Sequence, residues 1–422
     1  MKNSKVSAIW LPTRDEGLRR LETFLPFAGR EYARLRNFDD GPGRHVHVST
    51  LSPWIRHRLL LESEVVNAVL KLHRFQAAEK FIQEVFWRTY WKGWLELRPG
   101  VWQRYQSDLE QLMDRLEHDD AFQDRLSRAT SGRTGIQCFD EWANELTGYG
   151  YLHNHSRMWF ASIWIFWLGL PWQLGADFFL RNLLDGDPAS NTLSWRWVAG
   201  LQTKGKAYLA RPDNIAKFTR GRFRPKDGVL VEAPPISGPP DPTPRQIDAR
   251  TDWNRTRRTG LLLTEDDLSP EFLGFPVNGF ESVATLNSSQ GRSSLGVSNT
   301  VAAFVEGAFS DTLGRIRSVA GLPTGHVLQT SSVDNLVDWA RRAQIEQFVT
   351  PYSPVGPAQD ALDILQRKLA PLRIGLERIL RYSDALAWPK ATHGFFRFRQ
   401  QIPTLIRRHD RDMEMVAEPP SQ

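Results

Sequence analysis

From Glu16 to Leu201 apolar residues return every three or four positions, the repeat of helices that each bury one face. The spacing predicts helices over Ser63–Leu72, Ala77–Leu97, Ser107–Leu116, Gln137–Thr147 and His155–Leu170, and with them an all-helical region. Between Arg211 and Arg250 the pattern breaks. Pro, Arg and Gly dominate there, as in Glu232-Ala233-Pro234-Pro235-Ile236-Ser237-Gly238-Pro239-Pro240, and few such residues continue a helix or enter a sheet, so a linker or covering arm is expected. Beyond Thr251, short apolar runs alternate with amphipathic ones. Gly260–Thr264, Ser282–Leu286, His326–Gln329, Gln347–Thr350 and Leu376–Leu380 read as strands, with helices over Asn299–Val319, Val333–Ala343 and Pro357–Leu369. That alternation predicts a parallel α/β sheet. The expected class is therefore α + α/β: a helical domain over residues 1–210, a linker over 211–250 and a smaller α/β domain over 251–422.

Composition narrows this picture. A chain of 422 residues can bury two cores, and its net charge of +6 favours a polyanionic partner such as nucleic acid. The single cysteine, Cys138, cannot form an internal disulfide and cannot alone hold an iron-sulfur cluster or a four-thiolate zinc, so no metal centre and a reducing, cytoplasmic setting are expected. Met1-Lys2-Asn3-Ser4-Lys5 lacks the apolar stretch of a secretion signal, and the uncharged run Met158 to Trp172 is short for a bilayer and contains Pro171. No membrane role is expected. The sequence also lacks a G-x-G-x-x-G or Walker-type loop after a strand of the α/β region. Thirteen of the sixteen tryptophans lie before residue 200, which fits a large helical core whatever else they do.

Three segments carry candidate chemistry. Tyr32-Ala33-Arg34-Leu35-Arg36 is followed by Val48-Ser49-Thr50-Leu51-Ser52-Pro53-Trp54, where hydroxyls and N–H groups at a helix start can cap the helix or meet an anion. In Glu84-Val85-Phe86-Trp87-Arg88-Thr89-Tyr90-Trp91, spacings of three and four align Glu84, Trp87, Arg88 and Trp91 on one side; a Glu84/Arg88 pair beside a core stripe has the same spacing. The third block begins with Gly132-Arg133-Thr134-Gly135 ahead of a helix bearing Asp140. It continues through Gly150-Tyr151-Leu152-His153-Asn154-His155-Ser156-Arg157-Met158 and Leu184-Asp185-Gly186-Asp187-Pro188-Ala189-Ser190-Asn191 to Trp195-Arg196-Trp197-Val198-Ala199-Gly200. In this order and spacing the segments resemble the flavin-binding signature of DNA photolyases and cryptochromes, over about Tyr32 to Leu201.

That resemblance implies an FAD bound by the helical half, with phosphates near Ser49, Thr50, Leu51 and Ser52 and with Tyr32 as a further donor. It sets Arg88 and Arg157 on phosphate or on the acidic loop, Asp185 and Asp187 as acceptors for the ribityl chain and the ring imide, and Asn191 facing flavin N5. It further implies a lesion pocket formed by Glu84, Trp87, Asn154, Met158 and Trp197, in which a buried Glu84 carboxyl would have a raised pKa. Trp195 and Trp172 match the inner members of an electron-transfer chain, whose outer tryptophan has no match near Asp119 to Phe122. His155 stands where arginine is frequent. The implied activity is light-driven repair of cyclobutane pyrimidine dimers, with damaged DNA as partner and a monomeric state; the alternative is a blue-light photoreceptor with a signalling partner. The runs Asn299–Val319, Val333–Ala340, Gln347–Asp360 and Gly394–Phe398 resemble parts of the family's antenna domain in rearranged order, an unrelated α/β module being the other reading. The sequence does not identify a second chromophore.

Overall fold

The computed structural model describes residues 10–225, 234–247, 252–273, 280–320 and 326–408. Met1 to Lys5, and Glu232 and Ala233 of the arm, lie outside the described residues. The first half is helical, as the three-and-four repeat predicts: the long helices are Phe75–Glu96, Gly100–His118, Gln137–Tyr149, Trp172–Asn182 and Pro188–Val198. Differences sit at ends and breaks. The helix expected from Ser107 begins at Gly100, since Val101, Trp102 and Tyr105 continue its buried stripe. Its successor, Asp120–Thr130, is capped by Asp119, whose carboxylate accepts from the N–H of Phe122 at 2.9 Å. The single helix expected over His155–Leu170 is instead α-helical over Asn154–Ser162 and then π-helical over Ile163–Trp167, where the Leu168 N–H bonds five residues back to the Ile163 carbonyl at 2.9 Å. Among the described residues no helix is long and apolar enough to cross a membrane.

The expected linker departs from its composition in one place: Pro212–Phe218 is helical, because Pro212 occupies a first-turn position that needs no N–H donor and Asp213 faces the N-terminal dipole. Residues 234–247 form an arm along the helical half. Ile236 donates its N–H to the Ala199 carbonyl at 3.0 Å, Asp241 pairs with Arg196 at 2.6 Å, and Arg245 donates its N–H to the Leu97 carbonyl at 2.8 Å.

The second half holds a parallel sheet of β1 (Thr259–Thr264), β2 (Ser282–Leu286), β3 (Val327–Thr330), β4 (Gln347–Pro351) and β5 (Gly375–Ile379), in the order β3-β2-β1-β4-β5. Helices Asn299–Ala320, Val333–Arg342 and Pro357–Leu369 connect successive strands, as the alternation predicts. β1 is central and buried on both faces. Leu261 and Leu263 point into a core shared with the helical half, whereas Leu262 points to a smaller core with Leu336, Phe348 and Leu362. The shared core runs without a break from Trp10 to Leu405.

Order β3-β2-β1-β4-β5 creates a switch point between β1 and β4, and open α/β sheets commonly bind ligands at the strand ends there. Here the helical half fills it. After β1 come Glu265, Asp266 and Asp267, and against them lies the tripeptide Arg56-His57-Arg58. Arg56 donates to Asp266 at 2.6 Å, the His57 ring meets the Glu265 carbonyl at 2.6 Å, and Arg58 donates to Asp267 at 3.2 Å and to both oxygens of Asp384 at 2.7 and 2.9 Å. After β4, the Tyr352 hydroxyl donates to Glu96 at 3.0 Å, and the Val355 N–H bonds the same carboxylate.

Candidate functional site

The loop Leu184–Asp187 is fixed from three sides. Gly150 ends helix Gln137–Tyr149 in the left-handed region (φ 69°), and its carbonyl accepts the Leu184 N–H at 2.9 Å. A Cβ on Gly150 would stand 2.9 Å from the Leu184 side chain, so glycine is required both for the turn and for this approach. Arg157 bonds the Leu152 carbonyl at 2.8 Å and Asp185 at 3.0 Å. Asp187 caps helix Pro188–Val198 by accepting the Ser190 N–H at 2.7 Å, while Arg56 donates to the Gly186 carbonyl at 2.8 Å. The upstream Gly-x-Thr-Gly turn is likewise closed on its helix: Asp140 accepts from the Thr134 hydroxyl and from the N–H groups of Thr134 and Gly135 at 2.7 to 2.9 Å.

Cations gather round this loop. Arg56 and Arg88 stand 3.9 and 3.8 Å from Asp187, and Lys92 and Arg292 are buried nearby. Burial works to raise the Asp187 pKa, but Lys92, Arg56 and Arg88 together hold it far below the carboxylate range. Asp185 is also lowered: Arg157 and Arg88 outweigh its burial, and the Ser52 hydroxyl reaches the same carboxylate. Burial lowers the Lys92 pKa, and Arg58 adds to the effect. Hydrogen-bonding capacity is left over. Arg88 Nη1, Lys92 Nζ, Asp185 Oδ1, Ser190 Oγ and Arg292 Nε and Nη2 are buried and bond to nothing in the protein.

The remaining sequence candidates are distributed less simply. Ser49 supports its own segment, accepting the Leu51 N–H at 3.4 Å, and Thr50 (φ 52°) accepts from Arg20 at 3.1 Å. Leu51 is fully buried, its N–H bonded to Ser49 and its carbonyl accepting the Ile55 N–H at 3.1 Å. Helix Ser52–Arg56 has no side-chain cap, because Pro53 removes one of the donors that a cap would satisfy. Tyr32 is buried edge-on to Phe81 and bonds Arg36. Asn191 donates to the Ala176 carbonyl at 2.8 Å.

Glu84 pairs with Arg36 rather than with Arg88, and its side chain is 32% exposed rather than enclosed. Arg36, at the end of helix Arg30–Leu35, reaches across to helix Phe75–Glu96, whereas Arg88 turns toward Asp187. Trp87 is half-buried against Phe395, with ring centroids 3.6 Å apart and planes 13° apart. Asn154 is exposed and Met158 half-buried on helix Asn154–Ser162, and Trp197 stacks on Tyr208 at 5.5 Å. Among the described residues, no hydrogen bond, ion pair or ring contact joins Glu84 or Trp87 to Asn154, Met158 or Trp197. Their helices do pack together, Pro188–Val198 touching both Phe75–Glu96 and Asn154–Ser162.

Trp195 is buried edge-on to Phe179 at 5.0 Å and to Trp164 at 6.1 Å; Trp172 meets Tyr105 at 5.8 Å, and Tyr105 meets Trp102 at 5.1 Å. No ring contact links Trp195 to Trp172 among the described residues. The region Asp119–Phe122 is a helix junction in which Phe122 is buried beneath Arg115. The His155 ring stacks on Trp159 at 4.1 Å and its Nδ1 faces the Asn37 carbonyl at 3.1 Å, so it is directed inward. Sequence reasoning missed Arg36, Arg56, Lys92, Arg292 and Phe395. Lys92 alone had a usable signal, one helical turn beyond Arg88. Among the described residues no group of three or more His, Cys, Asp or Glu is placed to hold a metal ion.

Residues 81–222 match the family model described as the FAD binding domain of DNA photolyase. The chain is 30% identical over 197 residues to a deoxyribodipyrimidine photo-lyase of Agrobacterium fabrum, covering 46% of this chain and 40% of that protein. It is 27% identical over 209 residues to a cryptochrome DASH of Idiomarina loihiensis, covering 48% and 44%. A crystal structure of a bacterial class III photolyase from Agrobacterium tumefaciens is 26% identical, covers 51% of this chain and 44% of that one, and superposes with a TM-score of 0.42. The chain thus spans less than half the length of each of these proteins.

Proposed function

Because this chain belongs to the DNA photolyase and cryptochrome family, we propose that it binds FAD and uses blue light to split cyclobutane pyrimidine dimers in DNA. The observation that carries the proposal is a single helix, Phe75–Glu96. It bears Glu84 and Trp87 where DNA can reach them, and on the next residue Arg88, 3.8 Å from Asp187 of the acidic loop. One rigid element joins a substrate surface to a cofactor loop. The leftover polar atoms fit the cofactor's demands: Arg88 Nη1 and Lys92 Nζ are buried donors suited to phosphate, and Asp185 Oδ1 is a buried acceptor suited to a ribityl hydroxyl or a ring imide.

When bound, FAD supplies light absorption and the transferred electron. The protein's own groups bind and orient. Asp185 and Asp187, kept ionised by their arginines and Lys92, accept hydrogen bonds without titrating near neutral pH. Asn191 presents an uncharged amide, and the indoles of Trp87 and Trp197 offer flat apolar faces to a flipped-out pyrimidine pair. Arg36 and Glu84 stand together as donor for its carbonyls and acceptor for its imide N–H groups.

A second reading, a photoreceptor that binds FAD without repair, draws support from His155. The family frequently has arginine at that position, and this ring is turned inward on Trp159 instead of toward a phosphate. The deciding experiment exposes purified, flavin-loaded protein and a thymine-dimer oligonucleotide to blue light under reducing conditions. Restoration of two intact thymines within the strand supports repair. Flavin photochemistry without restoration transfers the proposal to the photoreceptor.

A further inference from the structure

The aromatic wall of the proposed lesion site is not made by the helical half alone. Helix Phe395–Arg399 follows Gly394 in the last described stretch of the chain, and its first residue lies flat on Trp87. Phe395 is only 5% exposed. It is held edge-on by Tyr90 at 5.4 Å, and Phe398 packs on the same tyrosine ring at 5.4 Å. The segment of chain just before it is tied down by two further bonds: Tyr90 of helix Phe75–Glu96 donates to the His393 carbonyl at 2.8 Å, and Arg98, just past the end of that helix, to the Thr392 carbonyl at 2.7 Å. Beyond it, Ile402 and Leu405 are buried in the shared core. This is an anchored element, not a loose flap over the site.

From this geometry we propose that Phe395 is a positioning residue of the lesion site, holding the Trp87 indole in one plane so that its remaining open surface meets an incoming pyrimidine already oriented. The inference rests on the repair reading above. Phe395 is enclosed by the protein while Trp87, stacked on it, keeps part of its own surface open. Trp87 has two side-chain torsions, and a face-stacked partner on one side with Trp91 tilted at 5.2 Å on another leaves little rotamer freedom to lose on binding. The α/β half would thus contribute to lesion recognition through its C-terminal element.

The test measures, in the dark and at fixed salt, the affinity of the flavin-loaded full chain for a thymine-dimer oligonucleotide relative to the same strand undamaged. Phe395→Leu keeps apolar bulk but removes the flat ring, and its preference for the dimer should fall roughly two- to tenfold, the worth of one aromatic pair. Binding of undamaged strand, its salt dependence and flavin content should stay as in the parent. Phe395→Tyr, which keeps the plane, should restore the preference. If Phe395→Leu prefers the dimer as strongly as the parent does, the inference falls and the repair reading stands. A parent without preference for the dimer sinks both. Should the leucine variant fail to fold, Phe395→Met serves as the second non-planar probe, and failure of both to fold would show a core residue only and overturn the positioning role.

Discussion

Arg58 offers a sharp test of how the two halves are joined. Its guanidinium is 3% exposed and meets three carboxylates: Asp384 at 2.7 Å, Asp267 at 3.2 Å and Glu62 at 3.4 Å. Arg58→Met keeps a flexible apolar stem of similar length but removes the charge. Asp267 would still have Arg381 at 2.5 Å, but Asp384 would lose the guanidinium whose Nη2 donates to both of its oxygens in the interior. Deleting one member of a buried ion pair costs about 3 to 5 kcal/mol, because the other charge is left buried, whereas an exposed pair is worth about 1 kcal/mol or less. Urea unfolding followed by tryptophan fluorescence measures the loss, and as the core is continuous from Trp10 to Leu405 the transition should be single in the parent. Adding Asp384→Leu to the variant should recover part of the loss, since the stranded carboxylate is then gone. A loss under about 1 kcal/mol for Arg58→Met, or no recovery in the double variant, would refute the view that this buried network locks the halves together.

Glu96 is buried where helix Phe75–Glu96 meets Tyr352 and Val355, and burial pushes its pKa up to about 7 against the hydrogen bonds that lower it. An unfolded glutamate titrates near 4.3, so the folded state holds the extra proton between those values. The associated stability is full below about pH 4.3 and is lost as pH rises through 7, a difference on the order of 3 kcal/mol. Glu96→Gln should therefore flatten the stability profile between pH 4.5 and 7.5 relative to the parent, as read by urea titrations; parallel profiles would return Glu96 to an ordinary carboxylate. Gly175 lies where a Cβ would stand 2.3 Å from the buried Trp195 ring, so Gly175→Ala should displace the indole, cost about 1 to 3 kcal/mol and slow photoreduction of the flavin under external reductant. Unchanged photoreduction would remove Trp195 from the electron route. Asp187→Ala strips both the helix cap and the anion among Arg56, Arg88 and Lys92, and flavin should be lost on gel filtration while the parent retains it.

The fold was largely legible because its strongest signals are local. β1 and β2 sit in apolar runs bounded by polar residues, and their predicted limits match the structure to within one residue. Helix Asp120–Thr130 was not legible: only Phe122 and Ala129 are buried, too few to set a periodic stripe, although the Asp119 cap was in plain view. The π-helical turn at Ile163–Trp167 was hidden for the opposite reason, since a run of apolar residues on every face fits an α-helix and a π-helix equally well. Pro212–Phe218 was masked by the composition around it, where a proline that starts a helix looks the same as one that ends it.

For the site, the loop residues were legible and their partners were not. Asp185 and Asp187 belong to a compact motif, but Arg56 reaches Asp266 across 210 positions and Arg58 reaches Asp384 across 326. Both charge runs, Arg56-His57-Arg58 and Glu265-Asp266-Asp267, are visible in the sequence, and a short run of charge ordinarily marks a solvated surface. Topology supplies the missing step. A sheet ordered β3-β2-β1-β4-β5 opens a crevice at the ends of β1 and β4, and residues there must face either a ligand or another part of the chain. The acidic tripeptide directly follows β1, so its carboxylates lie in that crevice, and the basic tripeptide comes after the segment Ser49–Ser52 and Pro53-Trp54-Ile55, beside the acidic loop. Joining them sets the strand ends of the α/β half against the back of Gly186 and Asp187 through Arg56, and Phe395 extends the same half to Trp87. Substitutions in the α/β half should therefore alter flavin retention and lesion preference even where they touch neither ligand.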